Sequence, residues 1–204
     1  GLKQAVALEH LDVQGMTKMT SIDLTNHIYF KTLKAFGSGV ASVAFPKGAP
    51  VERLELPSAM RVLSLEQLPY ITTANVVMEN KANINSVVIK SCPMLSNDFD
   101  FAYDWLTGSV GSEGVFEMDN ISWSNVPADK MIQIGEIMAS NPRIKLYGTV
   151  RLTSITLEQI AVFRELFGDN IFDDGIEFQI KVPESIFLSG PTSIREGESA
   201  QFLA

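Results

Sequence analysis

A chain of 204 residues, 46% of them hydrophobic, holds enough apolar material for one elongated domain, or for one domain and part of a second. Its net charge of -8 and its 16 scattered Lys and Arg lack the basic stripe that neutralises phosphates, so nucleic acid is not an expected partner. The single cysteine, Cys92, excludes an intrachain disulfide framework and a multi-cysteine zinc site, and no apolar run reaches the length of a membrane span.

The N-terminus lacks the basic, apolar, small-residue order of a signal peptide, and Gly1 reads as a trimmed boundary, which leaves the compartment open. Short triplets then begin. Leu11-Asp12-Val13 and Ile22-Asp23-Leu24 alternate as strands do, with the apolar residues on the inward face. HIYFKTLKAFG, His27 to Gly37, reads as a helix. Gly37 and Gly39 precede the next strand, Val43-Ala44-Phe45, rather than joining a strand to a helix, which is the wrong order for a nucleotide-binding loop. Leu54-Glu55-Leu56 follows.

Next comes one skeleton written twice. Met60, Leu63, Leu65, Leu68 and Ile71 are matched 24 residues later by Ile84, Val87, Ile89, Cys92 and Leu95, and Pro69 by Pro93. This is the LxxLxLxxCxxL pattern of a leucine-rich repeat. Its central residues make a short strand, the fourth apolar position turns the chain beneath it, and the fifth returns apolar surface to the core. One such unit cannot bury its inner face alone, but a stack can. Counted between the middle residues of successive triplets, the steps are 11, 21, 11, 9, 24, 29 and 28, so the array is irregular.

The later steps have room for helices. DFDFAYDWLTG, Asp98 to Gly108, is one candidate, ahead of the triplet Phe116-Glu117-Met118. PADKMIQIGEIMAS, Pro127 to Ser140, sets Met131, Ile134, Ile137 and Met138 at helical spacing before Ile144-Lys145-Leu146. TLEQIAVFRELFG is the clearest helix, with Thr156 as cap, Gln159 completing a capping box, an apolar stripe of Leu157, Ile160, Phe163 and Phe167, and Gly168 as the stop. A turn at Asp173 to Gly175 leads into alternating Ile176, Phe178, Ile180 and Val182. The chain then becomes rich in Gly, Pro and Ser, which places a boundary near Pro183 and divides it into a repeat domain, 1–182, and a linker with a truncated second domain, 183–204.

LDVQGMTKMTSIDLTN and the paired 24-residue stretches resemble divergent leucine-rich repeat proteins of gut Bacteroidetes and their phages. LYGTVRLTSITLEQIAVFRELFG is similar to the closing repeat and helix of that group, and IFLSGPTSIREGESAQF to the first strands of a bacterial immunoglobulin-like domain. The first resemblance covers roughly residues 5 to 168 and the second about the last 20. Together they imply an irregular α/β solenoid with a mainly parallel sheet, cell-surface or virion-surface recognition, and no catalytic residues to transfer.

Side chains able to do chemistry are few. Cys92 sits where this repeat class puts a small buried residue and reads as a structural thiol. His10 and His27, the only imidazoles, are too few for a triad or a zinc site and read as surface or packing residues. Asp98, Asp100 and Asp104 are the best suggestion for a cation, calcium above all, but no Gly sits where an EF-hand loop needs it and aromatics interleave. Asp169, Asp173 and Asp174 read as solvated turn formers. Paired carboxylates for glycoside hydrolysis carry no signal among 24 acidic residues.

Partner-binding candidates are the outward strand residues Glu55, Ser64, Val88, Glu117 and Lys145, expected on one exposed face. Added to them are Glu66 and Lys90, which differ between the two copies, and the aromatics Trp105, Trp123 and Tyr147 near the turns. Tyr70 and Tyr103 share that setting, and for each of these five aromatics packing within the long, irregular repeats is the favoured reading over stacking on a sugar or anchoring a partner. The expectation is a non-enzymatic recognition, adhesion or scaffolding module at a bacterial or phage surface, without cofactor or metal, binding a protein or glycan through the sheet face. The alternative is a glycan-binding module attached to a carbohydrate-active enzyme, which exposed Trp105, Trp123 and Tyr147 would favour.

Overall fold

The computed structural model describes residue 5, residues 7–168 and the strand Glu177–Ile180. The first part of the chain forms short strands of three to five residues: β1 (His10–Asp12), β2 (Ser21–Asp23), β3 (Thr32–Lys34), β4 (Ser42–Ala44), β5 (Arg53–Leu56), β6 (Val62–Glu66), β7 (Val76–Met78) and β8 (Ser86–Lys90), all but β7 marked by an inward residue between more exposed ones. Where the spacing turns helical, helices alternate with longer strands: α1 (Pro93–Ser96), α2 (Phe99–Leu106), β9 (Val115–Val126), α3 (Ala128–Ser140), β10 (Ile144–Leu152), α4 (Leu157–Phe167) and finally β11 (Glu177–Ile180). The fold is α/β, its sheets mainly parallel and not closed into a barrel.

Successive strands go to opposite ladders. β1, β3, β5 and β7 pair in parallel; β2 pairs with β4; and β6, β8, β9, β10 and β11 pair in that order. Two backbone bonds join the segments of the last two groups: Gly48 N–H donates to Gln67 O (2.7 Å), and Arg61 N–H to Ala41 O (3.3 Å), the latter the same step as Ala41 N–H to Thr20 O (2.9 Å) and Asn85 N–H to Arg61 O (3.0 Å). Two ladders therefore advance side by side, and both turn their inward residues into one hydrophobic cluster.

This alternation resolves the irregular steps. In the first ladder Leu11, Leu33, Leu54 and Val76 stand in line, 22, 21 and 22 residues apart. In the second, Ile22 pairs with Val43, 21 residues on, and Leu63, Val87, Phe116 and Ile144 follow one another at 24, 29 and 28. The steps of 11 and 9 are crossings between ladders. The repeated skeleton also has two earlier copies: Met19, Ile22, Leu24, His27, Phe30 and Val40, Val43, Phe45, Gly48, Val51. His27 thus occupies the slot of Leu68 and Cys92 and is buried like them.

The helix expected over His27 to Gly37 is not formed. His27 and Phe30 are buried in the turn after β2, and Thr32–Lys34 is the strand β3, paired on both sides with β1 and β5. Tertiary pairing overrides local pattern here, because a single helical turn leaves backbone groups orphaned that two neighbouring strands satisfy. β7 was likewise absent from the sequence pattern: Val76, Val77 and Met78 are all half-buried, so no alternation marks them.

The other three helices form where expected. Asp98 caps α2 by accepting from Phe101 N–H (3.0 Å), and Thr156 and Gln159 make the capping box of α4, which ends at Gly168 in a positive-φ conformation. Helices α2, α3 and α4 pack in series, α3 against α4 over Gly135, where a Cβ would lie 2.6 Å from the Phe167 ring. Asn141, buried at the end of α3, donates to Gly111 O (3.1 Å) and Gly114 O (3.0 Å) and ties down the loop that enters β9. β11 runs antiparallel on β10, Gly148 opposite Ile180. It falls within the stretch 176–182 expected to be a strand, whereas the boundary near Pro183 and the immunoglobulin-like stretch, 183–204, lie outside the described residues.

Candidate functional site

Because side chains on a strand alternate between faces, each inward position of the second ladder leaves an outward one beside it. Four candidates fall into one transverse row by direct pairing: Ser64 opposite Val88, Val88 opposite Glu117, Glu117 opposite Lys145. A second row pairs Glu66 with Lys90, and Tyr147 lies two residues beyond Lys145 on β10, half-buried. The pairing brings together seven of the ten candidates. Glu55 is a correction: it belongs to β5 in the other ladder, in line with Lys34, and its carboxylate is held by Arg53 (2.8 Å) and approached by Gln14 Nε2 (3.4 Å).

Trp105 and Trp123 are corrected as well. They are only 1% and 2% exposed. Trp123 packs edge-on to Phe99 (5.2 Å) and donates its indole N–H to Ser96 O (2.9 Å); Trp105 packs edge-on to Phe101 (6.2 Å) beneath Lys81. Both fill the wider turns that carry helices, where a three-residue strand would leave a void. With them goes the aromatic platform that would have favoured glycan binding.

Charge on the row is internally matched. Lys90 lies 2.8 Å from Glu117, and Glu66 2.7 Å from Lys47 of the neighbouring turn. The hydrogen bond that Lys90 donates to the Glu117 carboxylate, together with that negative charge, holds the ammonium above its ordinary pKa. Lys145 makes no ion pair among the described residues. Asp119, which the sequence did not single out, ends the row on β9 and accepts from Ser91 N–H (2.6 Å). What remains on the face is a patch of small and aliphatic side chains, Val62, Ser64, Ser86 and Val88, bordered by fixed charges.

One flank of this face is a column of corners. Gln67, Ser91 and Asn120, each four residues after an aligned inward residue, have φ of 54°, 53° and 54°. The first ladder makes the equivalent corner at Gly15 and Gly37, φ 68° and 67°. Beyond the corner Tyr29, Tyr70 and Met94 project, each more than half exposed. Tyr70 was noted from the sequence; Met94 holds the same place in the second copy, and Tyr29 joins them once the earlier copies of the skeleton are set in register.

The remaining candidates have structural duties. Cys92 is fully buried, its thiol directed at Lys90 O (3.3 Å), and burial pushes its pKa up to about 11. His27 shares its Nδ1 with Ala5 O (3.0 Å). His10 is exposed beside Glu9. Each carboxylate of the acidic trio has a protein partner: Asp98 takes Phe101 N–H and the Thr73 hydroxyl, Asp100 takes Lys130 (3.1 Å), and Asp104 takes Lys81. Among the described residues no group of three or more His, Cys, Asp or Glu is placed to hold a metal, and no helix is long and apolar enough to cross a membrane. Asp169, Asp173 and Asp174 lie outside those residues. No family model, curated protein or solved structure matches this chain.

Proposed function

We propose that the chain is an irregular leucine-rich repeat solenoid that serves as a non-enzymatic recognition or scaffolding module at a bacterial or phage surface. It binds a protein partner through the outward face of the second ladder. The observation that carries this reading is the in-register row Ser64, Val88, Glu117 and Lys145. A parallel ladder spaces such residues at about 4.8 Å and fixes them without loops, so shape and polarity are preset before a partner arrives. The matched pairs Lys90–Glu117 and Lys47–Glu66 would orient a partner, and the small uncharged patch between them would be the part desolvated on contact.

A capture experiment tests this. The chain and its Ser64→Arg/Val88→Arg variant are immobilised and exposed to solubilised surface proteins of the producing cells. Both substitutions point to solvent, so thermal melts should coincide. A partner bound by the parent and lost from the variant supports the reading. Equal capture by both removes the face from it. Antibody labelling of intact cells or purified virions checks the location.

A further inference from the structure

The first ladder ends abruptly, and we propose that its open edge is a second binding site, for an extended peptide that adds as a strand to β7. It lies away from the row of the second ladder, and does not depend on the function proposed for that row.

The argument begins with backbone accounting. Parallel pairing alternates, so only every second residue of an edge strand bonds to its neighbour. Glu79 N–H donates to Leu56 O (3.1 Å) in the register Leu56 opposite Met78, which leaves the N–H and C=O of Met78 pointing away from β5. Among the described residues β7 is the last strand of that ladder, and none of them bonds these two groups. Where the next strand would lie, the chain instead places α2, at a distance. Between them is a cavity of about 240 Å³ lined by Thr73, Val76, Met78, Lys81, Phe101 and Trp105, with Asp104 at its rim.

The cavity specifies what fits. At about 240 Å³ it is smaller than the clefts of roughly 300–1,000 Å³ that enclose whole small-molecule ligands, but adequate for one side chain with its peptide unit. One wall offers a donor and an acceptor in strand geometry; on the opposite wall the edge of Phe101 reaches the space, while Trp105 lies beneath Lys81. A free edge is a template for another backbone, and strand addition joins main-chain hydrogen bonds to a pocket for alternate side chains. An extended peptide with a small apolar residue set against Val76, Met78 and the edge of Phe101 meets both walls. At the mouth, Lys81 lies 4.2 Å over the Trp105 ring and is paired with Asp104, so charge is neutralised there and an uncharged backbone is not opposed.

The probe is a blocked heptapeptide with the sequence of Val51 to Pro57, because β5 within it already pairs with the other edge of β7. Titrated into the ¹⁵N-labelled full chain, it should shift the Met78 amide resonance and slow its hydrogen exchange at least about tenfold at saturation. N-methylation of one alternate set of peptide residues should weaken binding at least about tenfold, and N-methylation of the other set should not. This needs no change to the protein, so folding of a variant is not at issue. A Met78 resonance unmoved at millimolar peptide, or equal loss from both N-methylated sets, overturns the proposal.

Discussion

The two halves of the molecule solve one packing problem differently. Up to Met78 each turn has a short strand on both sides, and 21 or 22 residues complete it. Beyond Ser86 only one side keeps its strands, while helices of 8, 13 and 11 residues occupy the other, and the step rises to 29 and 28. A helix rises about 1.5 Å per residue against about 3.3 Å for a strand, so it uses more residues for the same span. It also stands further from the sheet, and large side chains fill the space. Accordingly both tryptophans lie in the helical half, and the strand half is packed mainly with Leu, Val, Ile and Ala, with Phe30 and Phe45 as its large side chains. The ladder that continues through both halves carries the proposed face; the ladder that is interrupted leaves the open edge at β7.

The sharpest way to break the comparison is charge in the shared ladder. Leu63→Asp or Leu65→Asp buries an unpaired carboxylate in a 0%-exposed position, and loss of cooperative folding is expected in thermal melts. Trp105→Ala, confined to the helical half, should cost about 3–5 kcal/mol by urea titration, because the wide turn cannot collapse onto so large a void. Gly135→Val drives a side chain into the Phe167 ring and should cost about 1–3 kcal/mol, with exchange protection lost in α4 before β2 and β4.

Smaller effects test the strand half and its corners. Cys92 has a folded-state pKa above its unfolded value, so its contribution is complete below pH 9 and is lost as pH rises towards 11; Cys92→Ala should remove that alkaline decline. A thiol reagent should label it only on unfolding. Gln67→Gly should be neutral to stabilising by up to about 1 kcal/mol, since relief of the left-handed backbone offsets the added unfolded-state entropy, whereas Gln67→Val should cost more than about 1 kcal/mol. Ser64→Asp and Glu66→Ala, both outward, should change stability by less than about 0.5 kcal/mol. Melts showing Leu63→Asp and Ser64→Asp alike would overturn the assignment of inward and outward residues.

Much of this was legible in the chain. Alternation marked six of the strands as isolated triplets, and the capping box of α4 and the apolar stripe of α3 named their helices, because each signal is local and physical. Cys92 was demoted to a packing residue by its slot alone, and the outward row from Ser64 to Lys145 followed from strand parity. The failures share one cause. HIYFKTLKAFG carries a helix-like spacing and β7 carries none, yet both become strands because neighbours in the ladder satisfy their backbones. Trp105 and Trp123, whose sequence setting allowed both packing and exposure at a turn, are core, since burial depends on what packs above them. Glu55 has the same local pattern as Ser64 and faces another direction.

Sequence alone therefore determined which residues point inward along each short element, because strand parity and helix period are properties of adjacent residues. Only the tertiary structure decided to which ladder each strand belongs, where strands yield to helices, and that among the described residues β7 has no strand beyond it. Those are facts of pairing between residues some 21 to 29 positions apart, and no local pattern encodes them.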